Sequence, residues 1–258
     1  MPELRPGNAT VNAAGDETLG AVQDAAATAG QWLPVDARGS VTIAELCARR
    51  DGGPREARYG PLRARVLSLG SGGLRFGSEA VKDVAGYDVR RAWLGEIAIA
   101  HATLRLAARL RWRLDATLRG GDAFALAEAL RALPSAPAAI LVLAPDLVAI
   151  SDDAPLSQAD RRETDLDGVA RFAGAELERV TAESWSARCD ALPPWRVRLA
   201  GRDARRSLPA LDAPWVYDAG RRLALVADRP SALRVAPRAR GPEPSAALVA
   251  RVRAAITP

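Results

Sequence analysis

Apolar and polar residues alternate over residues 9–13, which predicts a strand, and the period then lengthens. Leu19, Val22 and Ala26 recur at three- and four-residue spacing and mark one face of a helix, with Asp16 in the N-cap position and Gly30 as its stop. Residues 32–35 predict a short strand. Thr42 followed three residues later by Glu45 is a capping-box pattern that opens a helix through about Arg49. The chain therefore begins strand, helix, strand, helix.

After the turn-rich Asp51-Gly52-Gly53-Pro54, residues 62–69 alternate Arg63 and Arg65 with apolar neighbours, and Ser71-Gly72-Gly73 turns them back into a second strand over 74–76. A short helix is expected over 88–94 with Gly95 ending it, then a long strand over 97–106. The arginine-rich stretch 109–113 marks a handover. Beyond it the pattern predicts a strand over 113–118, an amphipathic helix over 124–133 and paired strands over 140–143 and 147–150. Residues 151–167 are polar and acidic and read as an exposed loop. Further strands are expected over 195–199, 215–217 and 223–227, and Pro244 precedes a last helix with Leu248, Val249, Val252 and Ile256 on its apolar face. The rhythm is that of an α+β protein.

Composition narrows the chemistry. The 258 residues are 48% hydrophobic and 26% charged, as in an ordinary globular chain. Two cysteines, Cys47 and Cys189, build neither a disulfide framework nor a thiolate metal site, and one histidine, His101, builds no multi-histidine centre, so no metal is expected. The first 14 residues lack a signal-peptide pattern, and the longest apolar stretch, 138–150, is broken by Pro145 and Asp146. A cytoplasmic protein without a transmembrane segment is expected. The excess of 36 basic over 31 acidic residues is spread along the chain as arginine, with Lys82 the only lysine, so no nucleic-acid face is predicted.

Two stretches go beyond secondary structure. Gly30-Gln31-Trp32-Leu33-Pro34-Val35-Asp36 and Val81-Lys82-Asp83-Val84-Ala85-Gly86-Tyr87-Asp88, with Gly53-Pro54 and Arg58-Tyr59-Gly60 between them, resemble in order and spacing the signatures of an FAD-binding subunit of glycolate oxidase. That family belongs to the FAD-linked oxidases of the PCMH type, the vanillyl-alcohol oxidase superfamily. Leu192-Pro193-Pro194-Trp195-Arg196-Val197 and Pro214-Trp215-Val216-Tyr217-Asp218-Ala219-Gly220 resemble later segments of the same family, as does the closing stretch 247–256.

The resemblance implies a partial FAD-binding domain over residues 1–108, followed by a ferredoxin-like α+β cap over 109–258. It implies FAD as cofactor and oxidation of a 2-hydroxy acid of the glycolate or lactate type, beside a catalytic flavoprotein subunit and an iron–sulfur subunit. Carried over by motif, the cofactor-binding candidates are Thr42, Gly53, Tyr59, Gly60, Lys82, Gly86, Tyr87, Asp88 and Gly95. No catalytic residue follows from the match. Relatives begin with a further segment whose glycine-rich loop holds the FAD pyrophosphate, and this chain starts after it.

Other family glycines are changed. Val41-Thr42-Ile43-Ala44-Glu45 carries Ala44 and Glu45 where relatives have two glycines, which adds Cβ atoms and a carboxylate where backbone approaches the cofactor. The stretch Gly95-Glu96-Ile97-Ala98-Ile99-Ala100-His101-Ala102 keeps one family glycine and loses the next two. These changes describe a subunit degenerate in FAD binding. The alternative they leave is a flavin-free scaffold or regulatory subunit of an oxidoreductase complex.

Single residues have plainer readings. Asp88 fits a helix cap and Tyr87 a packed ring with its hydroxyl bonded. His101 sits in a strand and Cys47 on a helix, so neither they nor Cys189 is expected to react. Asp152, Asp153, Asp160, Asp165 and Asp167 match no Ca²⁺-loop spacing and read as solvated. The tryptophans are expected in core or interface packing.

Overall fold

The computed structural model describes residues 1–78, 94 and 98–235. Lys82, Gly86, Tyr87, Asp88 and Gly95 lie outside the described residues, as do the helix expected over 88–94, apart from Leu94, and the closing helix.

Among the described residues, the first half is built on a five-stranded antiparallel sheet. Its strands are β1 (Glu3–Arg5), β2 (Thr10–Ala14), β4 (Val66–Ser71), β5 (Leu74–Gly77) and β6 (His101–Arg105), in the order β1-β2-β6-β4-β5. Pairing sets Val11 opposite Leu104 and Ala13 opposite Ala102, with Leu69 opposite Ala102 on the other side. The period of two therefore sends these side chains to one face. There they meet Leu19, Val22 and Ala26 of α1 (Leu19–Ala27) and Ile43, Leu46 and Cys47 of α2 (Ile43–Arg49) in one buried cluster. Each fully buried leucine in such a cluster contributes roughly 1.5–3 kcal/mol. A two-stranded pair, β3 (Gln31–Trp32) with β7 (Ala107–Ala108), closes the far end.

The second half opens with β8 (Trp112–Arg119), α5 (Ala123–Ala132), β9 (Ala139–Ala144), β10 (Leu147–Ala154), α6 (Ala159–Phe172) and β11 (Glu176–Arg179). With strands in the order β11-β8-β10-β9, all antiparallel, this is the β-α-β-β-α-β ferredoxin-like unit. Three further strands extend the sheet beyond β9 in the order β13 (Trp215–Asp218), β14 (Leu223–Val226) and β12 (Trp195–Arg198). Ile140, Val142, Val148 and Ile150 point to α5 and α6, while Ala139, Leu141 and Ala149 point the other way, onto Trp185 and Cys189 of α7 (Ala182–Asp190).

Several expectations are corrected. The N-cap of α1 is Thr18, whose hydroxyl accepts from the Ala21 N–H at 3.2 Å, and Asp16 stands two residues too early to reach it. The strand expected over 62–69 begins only at Val66, because Pro61, with φ −68°, starts a helical turn, α4 (Leu62–Arg65). The strand expected from 32 to 35 is only two residues long. The largest difference is the acidic run 151–167. Ser151, Asp152 and Asp153 continue β10 and are buried, and Asp160, Asp165 and Asp167 lie on α6. For Asp152 and Asp153, polarity predicts solvent only while their partners, Arg58 and Arg162 of other elements, are unknown, whereas Asp160 and Asp167 are exposed as their polarity predicts.

Candidate functional site

On the sheet face opposite α5 and α6, alternation along β8 and β10 sets Asp115, Ser151 and Asp153 side by side. Arg55 from the first half meets them. It precedes the short helix α3 (Glu56–Tyr59), and it is brought to Asp36 by the turn through Gly53. Gly53 has φ +91°, and a Cβ there would come within 2.6 Å of the Asp36 Cβ, so only glycine lets the two segments approach.

Arg55 is 1% exposed. Its backbone N–H donates to Asp36 Oδ2 at 2.8 Å and its Nε to Asp36 Oδ1 at 2.9 Å, while Nη2 donates to Asp115 Oδ1 at 3.4 Å. Nη2 also donates to Ser151 Oγ, which in turn donates to Asp115 Oδ1. Nη1 lies 3.5 Å from Asp153 Oδ2. Trp185 Nε1 completes the Asp36 shell at 2.8 Å. Burial pushes the Asp36 carboxyl upward even though Arg55 opposes the shift.

Arg58 extends the network. Its Nη1 donates to Asp153 Oδ1 at 2.7 Å, and its Nη2 lies 3.0 Å from Asp152 Oδ1, which also accepts from Arg162 of α6 at 2.6 Å. A second seam forms around Arg221, whose Nε donates to Asp218 Oδ2 at 2.6 Å and Nη1 to Asp51 Oδ1 at 2.6 Å and Glu56 Oε2 at 3.3 Å. Buried charges are tolerated when paired and bonded in this way, so both seams hold the two halves in one arrangement.

The sequence-predicted residues fall in different places. Gly53 supports the Arg55 seam, and the Tyr59 ring meets Trp32 edge-on at 5.5 Å and 88°. Gly60, with φ +80°, has open space where a Cβ would stand. Thr42 is elsewhere, packed on the segment before α1, where it bridges Thr18.

The start of α2 decides whether Thr42 and its neighbours fit a cofactor phosphate. The capping box is present: Thr42 N–H donates to Glu45 Oε2 at 2.9 Å and Glu45 N–H to Thr42 Oγ1 at 3.2 Å. Between them, Ile43 N–H donates to Glu17 O at 2.9 Å and Ala44 N–H to Gly15 O at 2.8 Å. A dinucleotide pyrophosphate needs unpaired N–H donors, and these four are already taken. The Thr42 N–H and hydroxyl hold the Glu45 carboxyl below the usual range, so a carboxylate sits at this helix end. These residues do not fit the FAD phosphates.

A groove of about 750 Å³ runs between the two halves, lined among others by Trp32, Asp36, Arg55, Asp153 and Trp185 and by Arg109, Leu110, Arg111 and Arg113 of the connector. None of Thr42, Gly53, Tyr59 and Gly60 lines it. Sequence reading finds Trp32 and the arginine-rich connector but misses the hub, because Arg55 looks like any other arginine until β8 and β10 are folded against it. Its position directly after Gly53-Pro54 is the one local signal.

His101 is exposed, and its ring lies over Gly70 on the neighbouring strand. Cys47 and Cys189 are buried. No group of histidine, cysteine, aspartate and glutamate able to hold a metal ion occurs among the described residues, and no helix there is long and apolar enough to cross a membrane.

No protein-family model matches the chain, and no curated protein is similar to it. Solved structures are. An alkyldihydroxyacetonephosphate synthase in a P1 crystal is 15% identical with a TM-score of 0.57, over 72% of this chain and 45% of that one. An alkyldihydroxyacetonephosphate synthase in a P212121 crystal is 14% identical with a TM-score of 0.59, over 73% of this chain and 43% of that one. The chain thus spans less than half the length of the solved structures it matches. The likeness establishes the fold: a mixed α+β chain with antiparallel sheets, of the PCMH-type FAD-binding fold.

Proposed function

We propose that this chain is a framework subunit of an FAD-linked oxidoreductase assembly, resembling an FAD-binding subunit of glycolate oxidase, and that it does not itself hold FAD through the start of α2. The assembly oxidises a 2-hydroxy acid of the glycolate or lactate type, and the partners are a catalytic flavoprotein and an iron–sulfur subunit. Support for the family comes from the fold and from the Gly30-to-Asp36 and Arg58-to-Gly60 motifs. One observation carries the flavin-free part of the reading. Four successive N–H groups of residues 42–45 are satisfied within the protein.

Within such an assembly, the work of this chain is to keep its two halves in fixed register. Arg55 and Arg58 join the first half to β8 and β10, and Arg221 joins β13 to Asp51 and Glu56. The resulting surface is preorganised, which lowers the ordering cost of association.

The test is a titration of the purified chain with FAD, followed by visible absorbance. Free and bound oxidised flavin both absorb near roughly 375 and 450 nm, so protein and ligand are separated by gel filtration before reading. The expected result is a colourless protein fraction at every FAD concentration. A yellow fraction with flavin near one per chain would overturn the reading.

A further inference from the structure

We infer that the groove between the two halves is a binding site for a small organic dianion, such as a phosphate monoester or a dicarboxylate. The inference stands apart from the proposed function, since it involves none of the residues at the α2 start.

Charge within the groove is uneven. Its two carboxylates are already engaged: Asp36 accepts from Arg55 and Trp185, and Asp153 from Arg58. Arg113 is held by Asp115 at 2.7 Å. Arg109 and Arg111 are exposed and, among the described residues, have no acidic partner. Two arginines thus line the cleft with no carboxylate among the described residues to neutralise them, and a guanidinium is a planar fork of donors suited to carboxylate or phosphate.

The connector is held in place, so these arginines are presented rather than trailing. Arg109 N–H donates to Gly30 O at 2.8 Å, and Ala107 and Ala108 pair with Trp32 and Gln31. On the far side, Trp112 is buried in the core of the second half. Arg109 and Arg111, two residues apart in this connector, both line the groove. Trp32, Val35 and Leu110 add an apolar floor, which favours an organic anion over a bare ion. Two further donors of the same wall, Trp32 Nε1 and Arg55 Nη1, are buried without a hydrogen-bond partner.

The test is calorimetric titration of the whole chain with phenyl phosphate, succinate and glycolate, in separate arms. The expected result is saturable one-site binding of phenyl phosphate or succinate, at least tenfold tighter than glycolate; whichever of the two binds tighter identifies the anion class. In the double variant Arg109→Ala/Arg111→Ala, affinity falls at least tenfold with the thermal midpoint unchanged. The same charge removed elsewhere, by Arg202→Ala/Arg206→Ala, changes it less than twofold. Absence of saturable binding, glycolate binding as tightly as the dianions, or equal weakening in both double variants would overturn the inference.

Discussion

Asp36 holds Arg55 twice, accepting its backbone N–H on Oδ2 at 2.8 Å and its Nε on Oδ1 at 2.9 Å. One carboxylate therefore fixes both the path of the chain after Gly53 and the direction in which the guanidinium leaves it. That direction leads into Asp115, Ser151 and Asp153 of the second half.

Arg55→Met removes the cation that neutralises this cluster and leaves Asp36, Asp115 and Asp153 buried around an apolar side chain. The expected loss is roughly 3–5 kcal/mol of unfolding free energy, the cost typical of breaking a buried ionic network from one side. Arg55→Lys recovers only part of it, because one ammonium cannot reproduce the fork that reaches Asp36 and Asp115 together. Urea denaturation of the two variants checks this. An unchanged midpoint in Arg55→Met would remove the network from the account of how the halves are joined.

Gly15→Ala tests the segment that supplies the α2 start. A Cβ at residue 15 would overlap the backbone oxygen of Ile99, and neither chain segment can retreat without breaking the bond from Gly15 N–H to Ala100 O at 2.7 Å. Destabilisation of roughly 2 kcal/mol or more is expected, in the range of overpacked core substitutions. Gly60→Ala, by contrast, meets no atoms, and its cost is limited to the backbone strain of φ +80°. Comparing the two variants by thermal unfolding separates collision from strain.

Burial pushes the Asp218 carboxyl up to about 6, against the favourable charge and hydrogen bonds of Arg221. The folded value lies above the unfolded value of about 3.9, so the folded chain binds the additional proton between them. The stability that comes from this proton is complete below the unfolded value and is lost as pH rises through about 6. Asp218→Asn lacks the titration. Unfolding free energies measured from pH 4 to 7 are therefore expected to fall more steeply with pH in the natural chain than in the variant. Parallel profiles would contradict the assignment.

The two thiols should be silent in the folded protein. Burial pushes the Cys47 thiol up to about 12, and burial, followed by the charge of Asp36, raises that of Cys189. A thiol-reactive disulfide reagent at pH 8 is expected to label neither in native buffer and both in denaturant, because the thiolate is the reacting form. Rapid labelling of the native chain would contradict the burial of α2 and α7.

Elements with one periodic face were legible in the sequence. The spacing of Leu19, Val22 and Ala26, the Thr42 and Glu45 capping box, the Ser71-to-Gly73 hairpin turn and the paired strands of β9 and β10 all follow from local chemistry. The fold was legible at the level of a PCMH-type domain with a ferredoxin-like second half. What failed was the acidic run from Ser151. Alternation there continues the strand, but polar side chains in a strand suggest solvent unless their partners are known, and Arg55, Arg58 and Arg162 come from other elements.

The cofactor candidates divide in the same way. Gly53 was found through a motif match, and the structure uses its positive φ to seat Asp36. Thr42 was found through a motif match, yet its hydroxyl and N–H are both spent on Glu45. A pattern of residue types records which groups are present, whereas the availability of their donors depends on Gly15 and Glu17, a turn away in the fold.

The central claim concerns the amides of residues 42–45, and amide hydrogen exchange of the free chain, repeated with FAD in excess, tests it most directly. The account predicts that these amides exchange slowly without ligand and that FAD leaves their exchange unchanged, because their acceptors lie within the protein. Fast exchange in the free chain, becoming slow on addition of FAD, would contradict it and return the start of α2 to the cofactor.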